Sequence, residues 1–321
     1  MKILLIILLV LCSLLVLGIT SITSPLWTSL VNVRIPVNKE RLYKDVEFLT
    51  SLQPARNFRN LNSLNAAADY IREEFEKLEG EVEVQKYTVE EGYEYQNIIT
   101  SFGKKDAPRI VVGAHYDVCG EQPGADDNAS AVAGLLEMAR LVNELKPDLK
   151  YRVDFVAYSL EEPPFFRTPY MGSAVHAKSL HDENVEVELM ICLEMIGYYS
   201  EEKGSQNYPI SLLKLFYPNR GNFIAVIGKR GQGKAIKAVK KSMKQVAKID
   251  VRSISAPAAL PGIDFSDHQN YWKYDYDAVM INNTAFYRNP HYHETSDTIE
   301  TLDFDKMREV VRGAYWALVN Y

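Results

Sequence analysis

Three apolar runs that each end in a histidine or an acidic residue constrain this chain most strongly. They read IVVGAHYD at residues 110–117, VDFVAYSLEE at 153–162 and LMICLEM at 189–195. Short apolar runs of this kind predict buried strands. In open α/β sheets, ligands bind outside the carboxyl ends of the strands. The polar ends of the three runs are therefore expected to meet in one crevice.

The order of the predicted elements defines the fold class. A chain of 321 residues with 47% hydrophobic content can bury the core of one large domain. Alternating strands and helices predict a mostly parallel central sheet flanked by helices on both faces, a three-layer sandwich, over residues 39–321, with 21–38 as a linker. Strands are predicted at 81–89, 95–102, 109–117, 151–159, 189–195, 223–227 and 278–281, and helices within 39–80, at 129–145, after Gly172, over the Lys-rich stretch 234–248 and from Phe304.

Residues 1–20 form a separate unit. No charged residue occurs from Ile3 to Val33, and the run from Ile3 to Thr20 is close to the roughly 20 apolar residues that span a bilayer. It predicts a transmembrane anchor, with Lys2 on the cytoplasmic side and the rest of the chain outside the cytoplasm. A cleaved signal peptide followed by secretion is the alternative. The length of the run and the lack of a clear small-x-small site favour the anchor.

Five residues are of the types that bind zinc, and each has a plainer explanation when taken alone. A single histidine near a strand end is more often structural, and the GADDNAS segment could cap the helix that follows it. Adjacent carboxylates such as Glu161 and Glu162 repel each other unless a cation or proton intervenes. A carboxylate within LMICLEM likewise needs a partner. Together they indicate two metals if one carboxylate bridges, with the candidates His115, Asp127, Glu162, Glu194 and His293.

The segments AHYD, GADDNAS, SLEE, CLEM and HYHETSD resemble, in that order, those of the M28 family of zinc peptidases, aminopeptidases with two co-catalytic metals. The resemblance extends from about Arg41 to Tyr321. It implies two Zn²⁺ ions per chain, a peptide substrate and hydrolysis of N-terminal peptide bonds by a metal-activated water. In this resemblance Asp127 matches the carboxylate that bridges the two metals. Glu162 and His293 match further ligands of the first metal, Glu194 matches a ligand of the second, and His115 matches a histidine ligand.

Three more residues receive roles from the same resemblance. Glu161 matches the general base, and Asp117 matches the carboxylate that orients the ring of His115. Tyr292 lies where some relatives donate a hydrogen bond to the tetrahedral oxyanion. A packed aromatic ring beside a ligand is an equally good interpretation of Tyr292.

Two features leave alternatives open. His291 lies two residues before His293, and spacing does not choose between them; the ETSD that follows His293 matches the family pattern and favours it. The segment PPFFRTPYMGS at 163–173 departs from the family, so the wall beside the base is expected to differ and the substrate preference is left open.

Other functions fit less well. A glutaminyl-peptide cyclase would resemble the same fold with one zinc, but the intact GADDNAS favours two metals. A receptor-like ectodomain without activity is disfavoured because base and ligands are all present, and a carboxypeptidase lacks a clear basic clamp. A net charge of −6 with no basic stripe argues against nucleic acid. The loop GKRGQGKA at 228–235 resembles a phosphate loop but has Ala235 where Ser or Thr is required.

Two of the cysteines, Cys119 and Cys192, lie near the metal motifs. They are interpreted as core residues, and pairing in an oxidising compartment stays open because two thiols give no framework pattern. The sequence makes no prediction of the oligomeric state.

Overall fold

The computed structural model describes residues 13, 18, 20, 22–90 and 92–321. Within these ranges one sheet contains eight strands, which are β1 (Glu81–Thr88), β2 (Glu94–Phe102), β3 (Arg109–His115), β4 (Arg152–Tyr158), β5 (Val187–Glu194), β6 (Phe223–Lys229), β7 (Asp250–Ala256) and β8 (Ala278–Asn282). The α-helices of the same ranges are α1 (Lys39–Ser51), α2 (Leu61–Glu76), α3 (Ala131–Leu145), α4 (Gly172–Asp182), α5 (Gly233–Val246), α6 (His268–Tyr271) and α7 (Phe304–Val319).

The sheet is mixed, with strand order β1-β2-β4-β3-β5-β8-β6-β7. The pairs β4–β3, β3–β5, β5–β8 and β6–β7 are parallel, whereas β1–β2, β2–β4 and β6–β8 are antiparallel. This corrects the expectation of a mostly parallel sheet. The connection between β1 and β2 is too short for the crossover that parallel strands need. The four parallel strands in the middle are the ones that lead to the site.

Helices cover both faces of the sheet, as the sequence predicted. Successive side chains of a strand point to opposite faces, so in β3 Ile110 and Val112 join a large core packed against α1, α2, α3, α5 and α7. Val111, between them, joins a smaller core with residues of α4 and α6. The α/β class and the three layers are therefore confirmed.

The chain before α1 is attached to the domain along an extended path. The ammonium of Lys240 in α5 donates to the carbonyls of Thr23 and Ser24, at 3.0 Å each, and Ile35 and Val37 are buried. Asn38 then starts α1 by accepting a hydrogen bond from the amide of Arg41 at 3.1 Å. No helix within the described ranges is long and apolar enough to cross a bilayer. Most of the predicted anchor or signal segment, 1–20, lies outside the described residues.

Candidate metal centre

The carboxyl ends of three neighbouring parallel strands meet, as the sequence analysis expected. β3 ends at His115 and lies between β4, which leads to Glu161 and Glu162, and β5, which ends at Glu194. Asp127 comes from the turn Ala125–Ser130 ahead of α3. His293 comes from the loop between β8 and α7. The structure thus brings all five predicted ligands to one end of the sheet.

The predicted ligands form two clusters that share one carboxylate. In the first, Nε2 of His115 lies 3.4 Å from Oδ1 of Asp127 and 3.4 Å from Oε2 of Glu194. In the second, Nε2 of His293 lies 3.3 Å from Oδ2 of Asp127 and 3.2 Å from Oε2 of Glu162. Asp127 therefore presents a different oxygen to each histidine.

These distances fit a metal centre better than a set of ion pairs. Charge-assisted N–H···O hydrogen bonds are usually about 2.7–2.9 Å long. Ligand atoms bonded at about 2.1 Å to a tetrahedral zinc lie roughly 3.4 Å from one another. The histidine-to-carboxylate distances of 3.2–3.4 Å match the second spacing, and the ligand atoms of His115, Asp127 and Glu194 all lie within 4.8 Å of one another. The nitrogen and oxygen donors are also of the types that zinc accepts, so the residues fit this metal.

Burial and mutual repulsion disfavour the charged forms of the glutamates at the site. Burial, with the nearby carboxylates, raises the pKa of Glu161 well above its usual range and that of Glu162 to about 7. Burial also raises the pKa of Glu194. Burial acts the same way on Asp127, but the nearby rings of His115 and His293 outweigh it and hold its pKa below the usual range. Divalent cations would relieve this crowding of carboxylates.

Asp117 connects the first histidine to the glutamate pair. Its two carboxylate oxygens accept hydrogen bonds from the amides of Glu161 and Glu162, at 3.1 Å each. Its Oδ1 also lies 3.5 Å from Nδ1 of His115. Such partners behind the ligands set ring orientation and ligand basicity. The backbone carbonyl oxygen of Asp117 lies closer to Nδ1 of His115, at 3.2 Å, and the orienting role of the carboxylate stays a prediction.

Two acidic residues that the sequence analysis did not assign to the site hold Asp127 in place. The carboxylate of Asp297 accepts from the amides of Asp126 and Asp127 at 2.9 and 3.0 Å. The carboxylate of Asp126 accepts from the amides of Gly197 and Tyr198 and from the side chains of Asn283 and Asn289. Neither Asp126 nor Asp127 caps α3, so the capping interpretation was wrong. Their side chains instead join loops around the site.

A buried arginine supports the loop between His115 and Asp127. Arg56 is 1% exposed and donates to four backbone carbonyls, those of Leu49, Tyr116, Pro123 and Gly124. Burial lowers the pKa of Arg56 to about 10, although four carboxylates around the site act in the opposite direction. Gly124 has a φ of +63°, and a Cβ there would lie 2.3 Å from the carbonyl oxygen of Asp127. Arg56 lies outside every motif, so the sequence carried no signal for it.

Both described cysteines are free thiols, which answers the open question of a bridge between Cys119 and Cys192. Cys192 is buried in the smaller core. Cys119 is half-buried, and its Sγ and one ligand atom each of Glu162 and His293 lie within 4.8 Å of one another. Burial, followed by the charges of Glu162 and Asp127, raises the pKa of the Cys119 thiol to about 11. The sequence analysis placed Cys119 near the site but gave it no role.

The two histidines of HYHETSD occupy different environments. Nδ1 of His291 lies 2.9 Å from Oγ of Ser296, and His291 belongs to none of the possible metal clusters found within the described ranges. The ring of Tyr292 stacks on that of His293, with centroids 3.8 Å apart and an angle of 18°. Tyr292 therefore lies at the edge of the site.

A cavity of about 200 Å³ opens onto both clusters. Glu161, Glu162 and Glu194 line it, and Phe166 from the divergent segment 163–173 forms part of its wall. A second, smaller and more apolar cavity of about 80 Å³ shares four lining residues with it, which are Phe265, Asn282, Ala285 and Phe286. A molecule bound over the clusters could therefore extend a side chain into an apolar space.

An α/β sheet that brings two histidines and several carboxylates to the carboxyl ends of its parallel strands defines a metal-dependent hydrolase. The chain belongs to Peptidase family M28, whose family model matches residues 97–317, and the predicted family is confirmed. It is accordingly a metallopeptidase.

The chain is similar to several known proteins, of which three are informative. It is 46% identical over 289 residues to the uncharacterized protein YfbL of Escherichia coli K12, covering 88% of each chain. A probable leucine aminopeptidase of Trichophyton verrucosum is 25% identical over 299 residues, 87% of this chain and 72% of that one. The crystal structure of Tannerella forsythia glutaminyl cyclase matches with a TM-score of 0.63 and 22% identity, over 89% of this chain and 99% of the other. The last likeness shows the fold alone.

Proposed function

We propose that this metallopeptidase is an aminopeptidase with two zinc ions. One ion would be held by His115, Asp127 and Glu194, and the other by Asp127, Glu162 and His293. The observation that carries the proposal is the position of Asp127, which turns one carboxylate oxygen to each histidine, 3.4 and 3.3 Å away. A carboxylate shared in this way is what a centre with two metals needs.

The side chains around the clusters have separate roles in the proposed reaction. Zinc bound there supplies Lewis acidity and lowers the pKa of water. Glu161, whose Oε2 lies 3.9 Å from Nε2 of His115, takes the proton of the attacking water and returns it to the leaving amine. Asp117 positions both His115 and Glu161. Tyr292, at the cavity wall, donates a hydrogen bond to the developing oxyanion.

The lining of the cavity disfavours a substrate held by its C-terminal carboxylate. Among the described residues that line it there is neither lysine nor arginine, and its four carboxylates are those already assigned to the metals and to proton transfer. A C-terminal carboxylate would find no basic partner among these lining residues, which argues against a carboxypeptidase.

The apolar cavity suggests which N-terminal residues are preferred. Its wall includes Leu260, Ile263, Met280 and Phe286, and burying a Leu or Phe side chain there contributes about 1.5–3 kcal/mol. The relative described as a probable leucine aminopeptidase supports the same preference. We therefore propose peptides that begin with a large apolar residue as the substrates.

A substrate panel tests this function. The zinc-loaded protein is assayed on Leu-, Phe-, Asp- and Lys-initiated peptides and on N-acetylated copies of each. We expect release of the first residue from the Leu and Phe peptides and none from the acetylated ones. Cleavage of acetylated peptides at an equal rate would contradict the aminopeptidase proposal.

A glutaminyl-peptide cyclase is the second candidate, because a solved cyclase has the same fold. It would bind one zinc per chain and convert N-terminal glutamine to a ring without releasing a residue. Metal analysis together with a glutamine-initiated peptide separates the two candidates. A receptor-like ectodomain without catalysis would show neither reaction.

Membrane anchoring through residues 1–20, with the peptidase domain outside the cytoplasm, stays a prediction from the sequence. If the segment is an uncleaved anchor, the full-length protein should remain with membranes through alkaline carbonate washing. Recovery of a soluble form that begins near residue 19 to 25 would establish a cleaved signal peptide instead.

A further inference from the structure

We infer that Cys119 is a further protein ligand of the metal position that holds Glu162 and His293. The inference rests on the proposed metal site and adds a residue that the family resemblance does not supply. Sγ of Cys119 and one ligand atom each of Glu162 and His293 lie within 4.8 Å of one another. Ligand atoms of a tetrahedral zinc lie roughly 3.5 Å apart, so small side-chain movements would bring the sulfur into range.

A second observation points to a ligand at the same place. Glu162 is 4% exposed, and among the described residues its Oε1 has no hydrogen-bond partner. A buried carboxylate oxygen without a partner is costly unless a cation completes its surroundings. The thiol therefore lies beside a carboxylate that still needs a positive partner.

The backbone of Cys119 is fixed by its neighbours. Arg56 donates to the carbonyls of Tyr116, Pro123 and Gly124, which lie on either side of Cys119 in the chain. The side-chain amide of Asn57 donates to the carbonyl of Gly120 at 2.6 Å. Because the loop is held at four carbonyls, its thiol points in a defined direction, which metal coordination requires.

The additional sulfur would make the two metal positions unequal. Glu162 and His293 with Cys119 form one candidate ligand set, and the sulfur gives that position a type of ligand that the other position lacks. His115, Asp127 and Glu194 give three protein ligands, the number typical of catalytic sites that keep a position open. Glu161, the proposed base, lies beside that open position. When the metal binds, the thiol gives its proton to solvent and the resulting thiolate, a soft ligand, favours zinc over manganese or magnesium.

Cobalt substitution tests the inference with a spectroscopic signal that does not depend on turnover. The full chain is loaded with Co²⁺, and its near-ultraviolet spectrum is recorded for wild type, Cys119→Ser and Cys192→Ser. We expect a thiolate-to-cobalt charge-transfer band in the wild type and in Cys192→Ser and its loss in Cys119→Ser. Cys192 is the control because its Sγ contacts Oγ of Ser266, which donates to Glu194. The same sulfur-to-oxygen change there therefore lies on the side of the other metal position and not beside Glu162 and His293.

Chelator competition supplies the second measurement. Loss of a partner outside the ligand shell typically lowers metal affinity roughly 10- to 100-fold. Cys119→Ser should lower the affinity for one metal by more than this, while the other metal is retained. Two cobalt ions per chain without a charge-transfer band would overturn the role of Cys119 and leave the proposed function intact. Absence of bound cobalt would overturn both.

Discussion

Glu161 and Glu162 are adjacent in the chain, yet they lie beside different histidines. Both backbone amides are tied to Asp117. From this common support, Glu162 approaches His293 at 3.2 Å and Glu161 stays 3.9 Å from His115. The shorter distance supports the assignment of Glu162 as a metal ligand, and the longer one supports the assignment of Glu161 as the proton-transfer group.

Replacing Glu161 by Gln should abolish turnover and leave the metal content unchanged. The change removes the acceptor of the proton without removing a proposed ligand, and the loss of a general base typically costs about 10²- to 10⁴-fold in rate. Activity and metal per chain are measured on the same preparation. Loss of zinc from the variant would show that the two glutamates are assigned in the wrong order.

The two histidines of HYHETSD should respond differently to removal. His293→Ala is expected to lose about one metal per chain and essentially all activity, because its Nε2 lies 3.3 Å from Asp127 and 3.2 Å from Glu162. His291→Ala, whose ring contacts Ser296 and Tyr198, should keep both metals with reduced activity at most. Metal analysis of the purified variants decides between them. If His291→Ala is the variant that loses metal, the last ligand is misassigned.

The clustered residues were predictable because each breaks a local pattern. A histidine or carboxylate at the end of an apolar strand is conspicuous, as at His115 and Glu194. Arg56 and the supporting carboxylates of Asp126 and Asp297 were not predictable, since their partners are backbone groups far away in the sequence. Sequence patterns report side-chain chemistry, whereas these contacts depend on how loops meet.

At the scale of elements, the loop between β3 and the turn before α3 is the part of the site most dependent on a single side chain. Arg56→Met should lower the free energy of unfolding by about 3 kcal/mol or more, because each carbonyl left buried without a donor costs about 1–3 kcal/mol. Urea denaturation measures the change. Arg59→Met is the matched control, since Arg59 is exposed and lies over the ring of Phe58, and it should change stability by no more than about 0.5 kcal/mol.

An equal effect of the two arginine variants would contradict the supporting role of Arg56. A variant that folds but binds less metal would strengthen it, because the same loop leads from His115 to Asp127.

Strand and helix prediction succeeded where burial was one-sided or complete. β3, β4 and β5 are almost completely buried, with mostly apolar sequences, and were all predicted. β7, with the sequence DVRSISA, was missed because it is an edge strand with polar and half-buried positions. The antiparallel pairing of β6 with β8 was also beyond the sequence pattern, which indicates where strands occur but not the direction in which they pair.

At the scale of the whole molecule, the ligands join segments that are far apart in the chain, from His115 to His293. A metal that binds the folded state alone stabilises it by about 4 kcal/mol at a concentration 1,000 times its Kd. Removal of metal by a chelator should therefore lower the melting temperature by on the order of 10 °C. Calorimetry with and without chelator measures the shift.

The variant His293→Ala provides the control for that experiment. It should start from a lower melting temperature and lose less on chelation than the wild type, because one position is already empty. An unchanged melting temperature in the chelated wild type would contradict a structural contribution of the metals.

In the proposed centre with two metals, the shared carboxylate of Asp127 has a consequence for how the ions enter and leave. Because one side chain serves both positions, its orientation and charge cannot be set for one ion without affecting the other. Any change that binding at one position makes in the affinity of the second is matched by an equal change in the reverse direction. Binding at one position would then raise or lower the affinity of the other. The occupancy of both positions would depend on the zinc concentration through two linked equilibria.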